Sequence, residues 1–300
     1  MKMKKVIVLV IVSIIGISMF ADAQNNRNIR RRGRSSDGGY FYVRVQGGYD
    51  FKASPFAVST STSTTTGTTT VNHNELSTIS LGNATVPALS VGYMFTESVG
   101  AELQAGYLLG FAQTVGSTKS TDGTNTSEST ATWQAKMIQI APLFVVQGSI
   151  SDVVKPYGKF GPVFGFSPSV TTKDNSTATD NGVTNTQSEE HLVNGGWAMG
   201  WKGVGGVEFH LSDMFSVYTE FSVLSMAYAP SKDVMTSSTM NGVDQMQFLT
   251  TSQKETDYVD SYDTDSNTPA NPDAPRKDIK GYYPFSSFGV QAGVKISFGR

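Results

Sequence analysis

Apolar and polar residues alternate along most of this chain with a period of two. Between Tyr40 and Phe51, the residues Phe41, Val43, Val45, Gly47, Tyr49 and Phe51 share one face. Tyr42, Arg44, Gln46, Gly48 and Asp50 share the other. Successive side chains of a strand point to opposite faces, so this period predicts a sheet wetted on one side only. The pattern recurs over 85–96, 99–111, 132–147, 155–170, 196–211, 214–229 and 285–298. After residue 23 no sustained i, i+3, i+4, i+7 pattern appears, so no amphipathic helix is expected.

The connections alternate in length. Short turns fall at 96–98, 148–154 and 212–213, and long polar stretches at 52–84, 116–131, 171–194 and 230–284. The predicted strands run to about 12–16 residues, where strands of soluble proteins average about 5–6 and a tilted membrane-spanning strand needs about 9–11. Aromatics gather at two levels of the apolar face. Phe41, Tyr93, Phe95, Phe160, Phe209, Phe215 and Phe298 mark one level; Tyr49, Phe51, Phe111, Phe166 and Trp197 mark the other. Long loops outside, short turns inside and two aromatic girdles describe an outer-membrane barrel. In lipid every backbone polar group needs a partner, and a closed barrel leaves no unpaired edge. The predicted fold is therefore all-β. It is an eight-stranded antiparallel transmembrane up-and-down β-barrel over 40–298, with four long extracellular loops and three short periplasmic turns. A ten-stranded alternative pairs Gln245–Thr251 with Lys277–Tyr283. Residues 59–70 are all Ser or Thr except Gly67 and read as a flexible loop.

The N-terminus adds a compartment. Lys2, Lys4 and Lys5 precede an apolar run from Val6 to Phe20, and Ala21-Asp22-Ala23 forms a small-residue cleavage site. Residues 1–23 thus read as a cleaved signal peptide. The run is short for a spanning helix of about 20 residues. Its removal takes three lysines and Asp22 with it, leaving 20 basic and 24 acidic residues and a net charge of −4. That balance argues against a nucleic-acid partner. There is no cysteine, so neither a disulfide nor a lipid-anchor cysteine is available. Residues 24–39 form a polar lead-in with arginines at 27, 30, 31, 32 and 34, placed in the periplasm and read as a tail.

This architecture resembles the small eight-stranded outer-membrane barrels, the OmpA transmembrane-domain and OmpX-like group known as the outer membrane protein β-barrel domain family. The resemblance spans about 40–298 and rests on strand pattern rather than on a motif. It implies an integral protein of the bacterial outer membrane with both termini periplasmic. It also implies contact with outer-membrane lipid and lipopolysaccharide, and insertion by the barrel-assembly machinery. The family ends on an aromatic residue; here Phe298 is followed by Gly299 and Arg300, which shifts that signal.

An eight-stranded ring is only wide enough for side chains to fill. By parity the interior set includes Arg44, Glu102, Lys159, Lys202, Glu208, Glu220 and Lys295. Lys159 with Glu208, and Glu220 with Lys295, lie on adjacent strands and are expected to pair. The network reads as structural, and alternatively as a gate whose exchanged pairs open a narrow porin-like path for small solutes. The expected function is non-enzymatic, a membrane anchor presenting surface loops for interaction or envelope integrity. The surface partner is not specified by the residues. A rim enzyme would need its base among His73, His191 and His210, none of which has a partner at a defensible spacing. Asp257, Asp260, Asp263, Asp265 and Asp273 offer oxygens to calcium but lack the glycine and terminal glutamate of a calcium loop. No cofactor or metal is expected.

Overall fold

A computed structural model describes residues 39–53, 56–66, 69–263 and 271–298. The predicted signal peptide, the arginine cluster of the lead-in, Asp265 and the final two residues lie outside these. Long strands form where the alternation is strongest: β1 (Tyr40–Lys52), β2 (Ala88–Met94), β3 (Val99–Gly110), β4 (Asn125–Gln147), β5 (Val154–Asp180), β6 (Trp197–His210), β7 (Phe215–Ala229) and β8 (Ser287–Phe298). Each pairs antiparallel with its predecessor. β8 returns to β1 along the whole register from Phe41↔Phe298 to Lys52↔Ser287. The molecule is thus all-β and its strands close a ring, in which β1 and β8 cover each other's edges.

The ring is inverted relative to a water-soluble protein. Tyr42, Arg44, Gln46 and Asp50 of β1 are buried, while Phe41 is 60% and Val45 56% exposed. Glu102 and Gln104 of β3 are buried beside an exposed Leu103; Lys202 of β6 is buried beside an exposed Trp201. Apolar faces point out, and towards the short turns the inward faces are polar.

Three inward tyrosines lie directly across a ladder from three inward glycines: Tyr42↔Gly92, Tyr157↔Gly206 and Tyr218↔Gly293. The missing Cβ gives each ring room to lie flat over the neighbouring backbone. A Cβ on Gly206 would sit 2.5 Å from the Tyr157 ring and 2.8 Å from the Thr219 carbonyl. Gly206→Val should therefore lower stability by about 1–3 kcal/mol through overpacking. Gly203→Val is the control, because nothing lies within 4 Å of its Cβ position. Equal unfolding midpoints for the two variants would refute this account.

Among the described ladders of the ring, that between β4 and β5 is locally broken. Pro142 and Pro162 face each other between the pairs Ile140↔Phe164 and Phe144↔Phe160, and neither has an N–H to give. Pairing lapses there, and a second irregularity follows at Lys136/Ile138, opposite Ser167 at φ 47°.

The long connections depart from the loops predicted. β4 begins at Asn125 and β5 runs on to Asp180, so both continue beyond their predicted ends at 132 and 170. Gln113–Asp122 pairs with β4, Val183–Asn194 with β5, and Lys232–Met240 with Val183–Asn194. The Ser/Thr-rich stretch is likewise a hairpin, Phe56–Thr66 against Thr69–Ile79. Threonine's branched Cβ favours extended backbone, and two of the other hairpin tips carry the turn residues hairpins need. Asn181 and Gly182 have φ 49° and 82°, and Asn241 and Gly242 have φ 52° and 79°. Positive φ at both central residues is the Asn-Gly I′ hairpin signature. The ten-strand alternative does not form: Met246–Phe248 is a 3₁₀ turn, Thr251–Lys254 a helical turn, and Arg276–Ile279 runs parallel to Glu255–Val259.

The interior has two storeys. Towards the short turns it is charged and aromatic. Towards the hairpins it is an apolar core of Leu81, Val86, Leu108, Met137, Val163, Tyr228, Phe285 and neighbours, each of those named under 3% exposed. Ile79–Val86 dips into this end, with the Ser80 hydroxyl donating to the Ser286 carbonyl at 2.8 Å. Burying one such aliphatic side chain contributes about 1.5–3 kcal/mol, so this segment acts as a plug.

Candidate functional site

All seven interior charges predicted from parity are buried. Four of them meet at one centre. Arg44 lies 3.3 Å from Glu102 Oε2 and 2.8 Å from Glu220 Oε1. Lys159 Nζ lies 2.9 Å from Glu102 Oε1 and 2.7 Å from Glu220 Oε1. Tyr42 donates to Glu102 at 3.0 Å and Tyr157 to Glu220 at 2.8 Å. The Arg44 guanidinium stands 3.5 Å from the Tyr218 ring centroid. Each cation thus touches both carboxylates, and tyrosine rings pack around the group.

The pairs differ from those expected. Lys159 meets Glu102 and Glu220 rather than Glu208, and Lys295 meets Glu208 at 2.9 Å rather than Glu220. Register explains it. Glu208 faces Lys155, four residues along β5 from Lys159, and Glu220 faces Gln291, four along β8 from Lys295. Four residues of strand is about 13 Å, beyond reach along the wall, whereas the narrow interior lets side chains meet across it.

Lys202 donates to Gln104 Oε1 at 2.7 Å. The residues beside this bond are small: Gln104 is opposite Ala141, and Lys202 is opposite Gly161. The contact therefore straps β3 to β6 behind the Pro142/Pro162 gap. Asp50 is an interior charge absent from the predicted set. It is 4% exposed and accepts from the Ser287 hydroxyl at 3.3 Å. Its parity with Arg44 on β1 is the signal that would have found it. With it, the buried Arg, Lys, Asp and Glu side chains among the described residues are four cations (Arg44, Lys159, Lys202, Lys295) and four anions (Asp50, Glu102, Glu208, Glu220). A cavity of about 10 Å³ lies among Arg44, Tyr157, Glu208 and Lys295, room for roughly one water.

The histidines are dispersed. His73 is exposed in the strand Thr69–Ile79. His210 Nδ1 lies 2.8 Å from Ser216 Oγ, and its Nε2 is 3.5 Å from Glu208. These are the residue types of a hydrolytic triad, and Ser216 is 1% exposed, facing the interior of the ring. His191 Nδ1 sits 3.1 Å from Asp233 on the hairpin sheet. That hydrogen bond, with Glu189 and Asp174 nearby, raises the His191 pKa above its ordinary value. A raised folded pKa gives stability that is full below about pH 6.5 and is lost as pH rises through the folded value. The hairpin sheet should thus be slightly more stable at pH 5.5 than at pH 8, by less than about 1 kcal/mol for a half-exposed pair. Hydrogen exchange at both pH values checks this, and a difference that survives Asp233→Asn overturns it. Among the described residues no three His, Asp or Glu side chains converge on a common metal position.

No family model matches the sequence, and no curated protein matches it. Among solved structures, the chain is similar to Ail, the attachment invasion locus protein of Yersinia pestis. The alignment has 9% identity and a TM-score of 0.27, over 87% of this chain and 97% of that one. A likeness at that score carries no weight for function, which has to be read from this chain's own residues.

Proposed function

We propose that the chain is an integral, non-enzymatic protein of a bacterial outer membrane. In this reading the ring is an eight-stranded transmembrane barrel with a sealed lumen, anchoring a Ser/Thr-rich β-sheet that faces the exterior. The supporting observation is the inversion of the ring. Phe160 at 57%, Trp201 at 56% and Leu103 at 55% exposure belong to a continuous outward band. Soluble monomers rarely expose apolar patches beyond a few hundred Å², whereas lipid solvates such a band. The barrel-assembly machinery would insert the chain, and lipid with lipopolysaccharide would surround it. The ring's two termini and its three short turns share one end, which this reading places in the periplasm.

The chain has no cysteine, which makes orientation directly testable. Thr124→Cys at a hairpin tip should react with an impermeant maleimide on intact cells. Asp213→Cys at a short turn should react only after the outer membrane is permeabilised. The opposite pattern, or recovery of the protein in the soluble fraction, overturns the proposal.

A gated channel is the second reading. It draws on Arg44 and Lys159 each touching both Glu102 and Glu220, an arrangement in which partners can exchange. Planar-bilayer recording separates the two. The sealed anchor predicts no steady conductance. Reproducible openings altered by Glu220→Gln would favour the channel.

A further inference from the structure

The aromatic girdle at the hairpin end of the ring has a notch. Tyr49 and Phe51 on β1, Phe111 after β3, Phe166 on β5 and Trp197 on β6 occupy outward positions there. On β7 the outward residue opposite Trp197 is Ala229, followed away from the hairpin end by Ala227 opposite Met199 and Ser225 opposite Trp201, and before β8 the outward positions include Ser286. Ser225, Ala227 and Ser286 floor an open groove of about 420 Å³. Met199 and Trp201 wall one side and Tyr282 the other. Below it, Phe221 and Phe288 stack with centroids 6.1 Å apart.

We infer that this groove is a fixed seat for one acyl chain of an outer-leaflet lipid. The inference rests on the outer-membrane reading, under which the groove is continuous with the lipid-facing band and opens at the outer leaflet. Its volume is within the range of about 300–1,000 Å³ typical of small-molecule sites. A small-residue floor between Trp and Tyr walls matches a narrow chain rather than the broad face of another protein. Two hydroxyls, Ser225 and Ser286, line the groove; the Ser286 oxygen accepts the Met226 N–H at 3.3 Å and keeps its own O–H to donate. They provide hydrogen-bonding groups for the ester or hydroxyl at the polar end of such a chain. Tyr282 at the mouth is 76% exposed, and Lys280 precedes it by two residues. Lys280 lies 3.2 Å from an exposed Asp260. The Lys280 and Tyr282 Cα atoms are at most about 7 Å apart, so an anionic headgroup near the mouth would compete with Asp260 for this lysine.

The full-length protein, expressed in an outer membrane and extracted in mild detergent, should carry a single lipid adduct in native mass spectrometry. Ala227→Phe fills the groove from its floor, and the adduct should fall about tenfold. Ser225→Phe should do the same from a second position. Lys119→Gln, on an exposed hairpin, should leave the adduct unchanged. No adduct on the wild type, equal adducts on the groove variants, or a dimer mass in place of the lipid each overturn the inference. Heat-modifiable gel mobility of the same samples separates the two levels. A folded, membrane-extracted barrel without the adduct sinks only the lipid seat. A protein absent from the membrane fraction sinks the barrel reading beneath it.

Discussion

Replacing Glu220 by leucine should lower the stability of the folded protein by about 3–5 kcal/mol, the usual consequence of stranding a buried charge. Glu220 Oε1 receives Arg44 at 2.8 Å, Lys159 at 2.7 Å and the Tyr157 hydroxyl at 2.8 Å. Without it, two buried cations are left with Glu102 alone. The sign of the second step is the informative part. Adding Lys159→Met to Glu220→Leu removes the surplus cation and leaves Arg44 with Glu102 as a neutral pair. The double variant should therefore be more stable than the Glu220→Leu single, although it has lost more polar contacts. Denaturant unfolding of all four members of the cycle in lipid vesicles measures the coupling directly. A double variant whose loss is the sum of the two singles would show that the four groups do not act as a unit.

The same quartet shows what is legible in the sequence. Parity alone places Arg44, Glu102, Lys159, Lys202, Glu208, Glu220 and Lys295 inside the ring, because in a strand the face of one residue fixes the face of every second neighbour. Who pairs with whom is not legible. That depends on register between strands and on contacts across the interior, and neither is encoded in the spacing along one strand. Asp50 is as legible as Arg44, whose face it shares. The hairpins also leave a local trace. Asn181-Gly182 and Asn241-Gly242 are turn dipeptides near threonines, and the polar composition around them disguises the strands as loop. The plug of Ile79, Leu81 and Val86 is hidden for the opposite reason. Its apolar residues lie between a Ser/Thr tract and a strand, and only the closed end of the ring shows what they cover.

Leu103→Arg supplies the decisive test of the outward band. Leu103 is 55% exposed, points away from the interior, and lies between Val91 and Pro142 on the neighbouring strands. In water such a substitution changes stability by no more than about 0.5 kcal/mol, and the arginine would if anything improve solubility. In a bilayer the outcome reverses. A charged side chain near the midplane of a barrel wall is destabilising by about 2–4 kcal/mol, while the same change near an interface costs about 0–1. Phe41→Arg, at the level of the short turns, is the matched comparison because Phe41 is equally outward and 60% exposed. The expected result is a loss several times larger at Leu103 than at Phe41 when both are unfolded from vesicles. The gradient is what discriminates, since packing loss alone would make the larger phenylalanine the more damaging site. Equal losses, or a larger one at Phe41, would mean that the band does not lie in hydrocarbon and that the ring is not a membrane-spanning barrel.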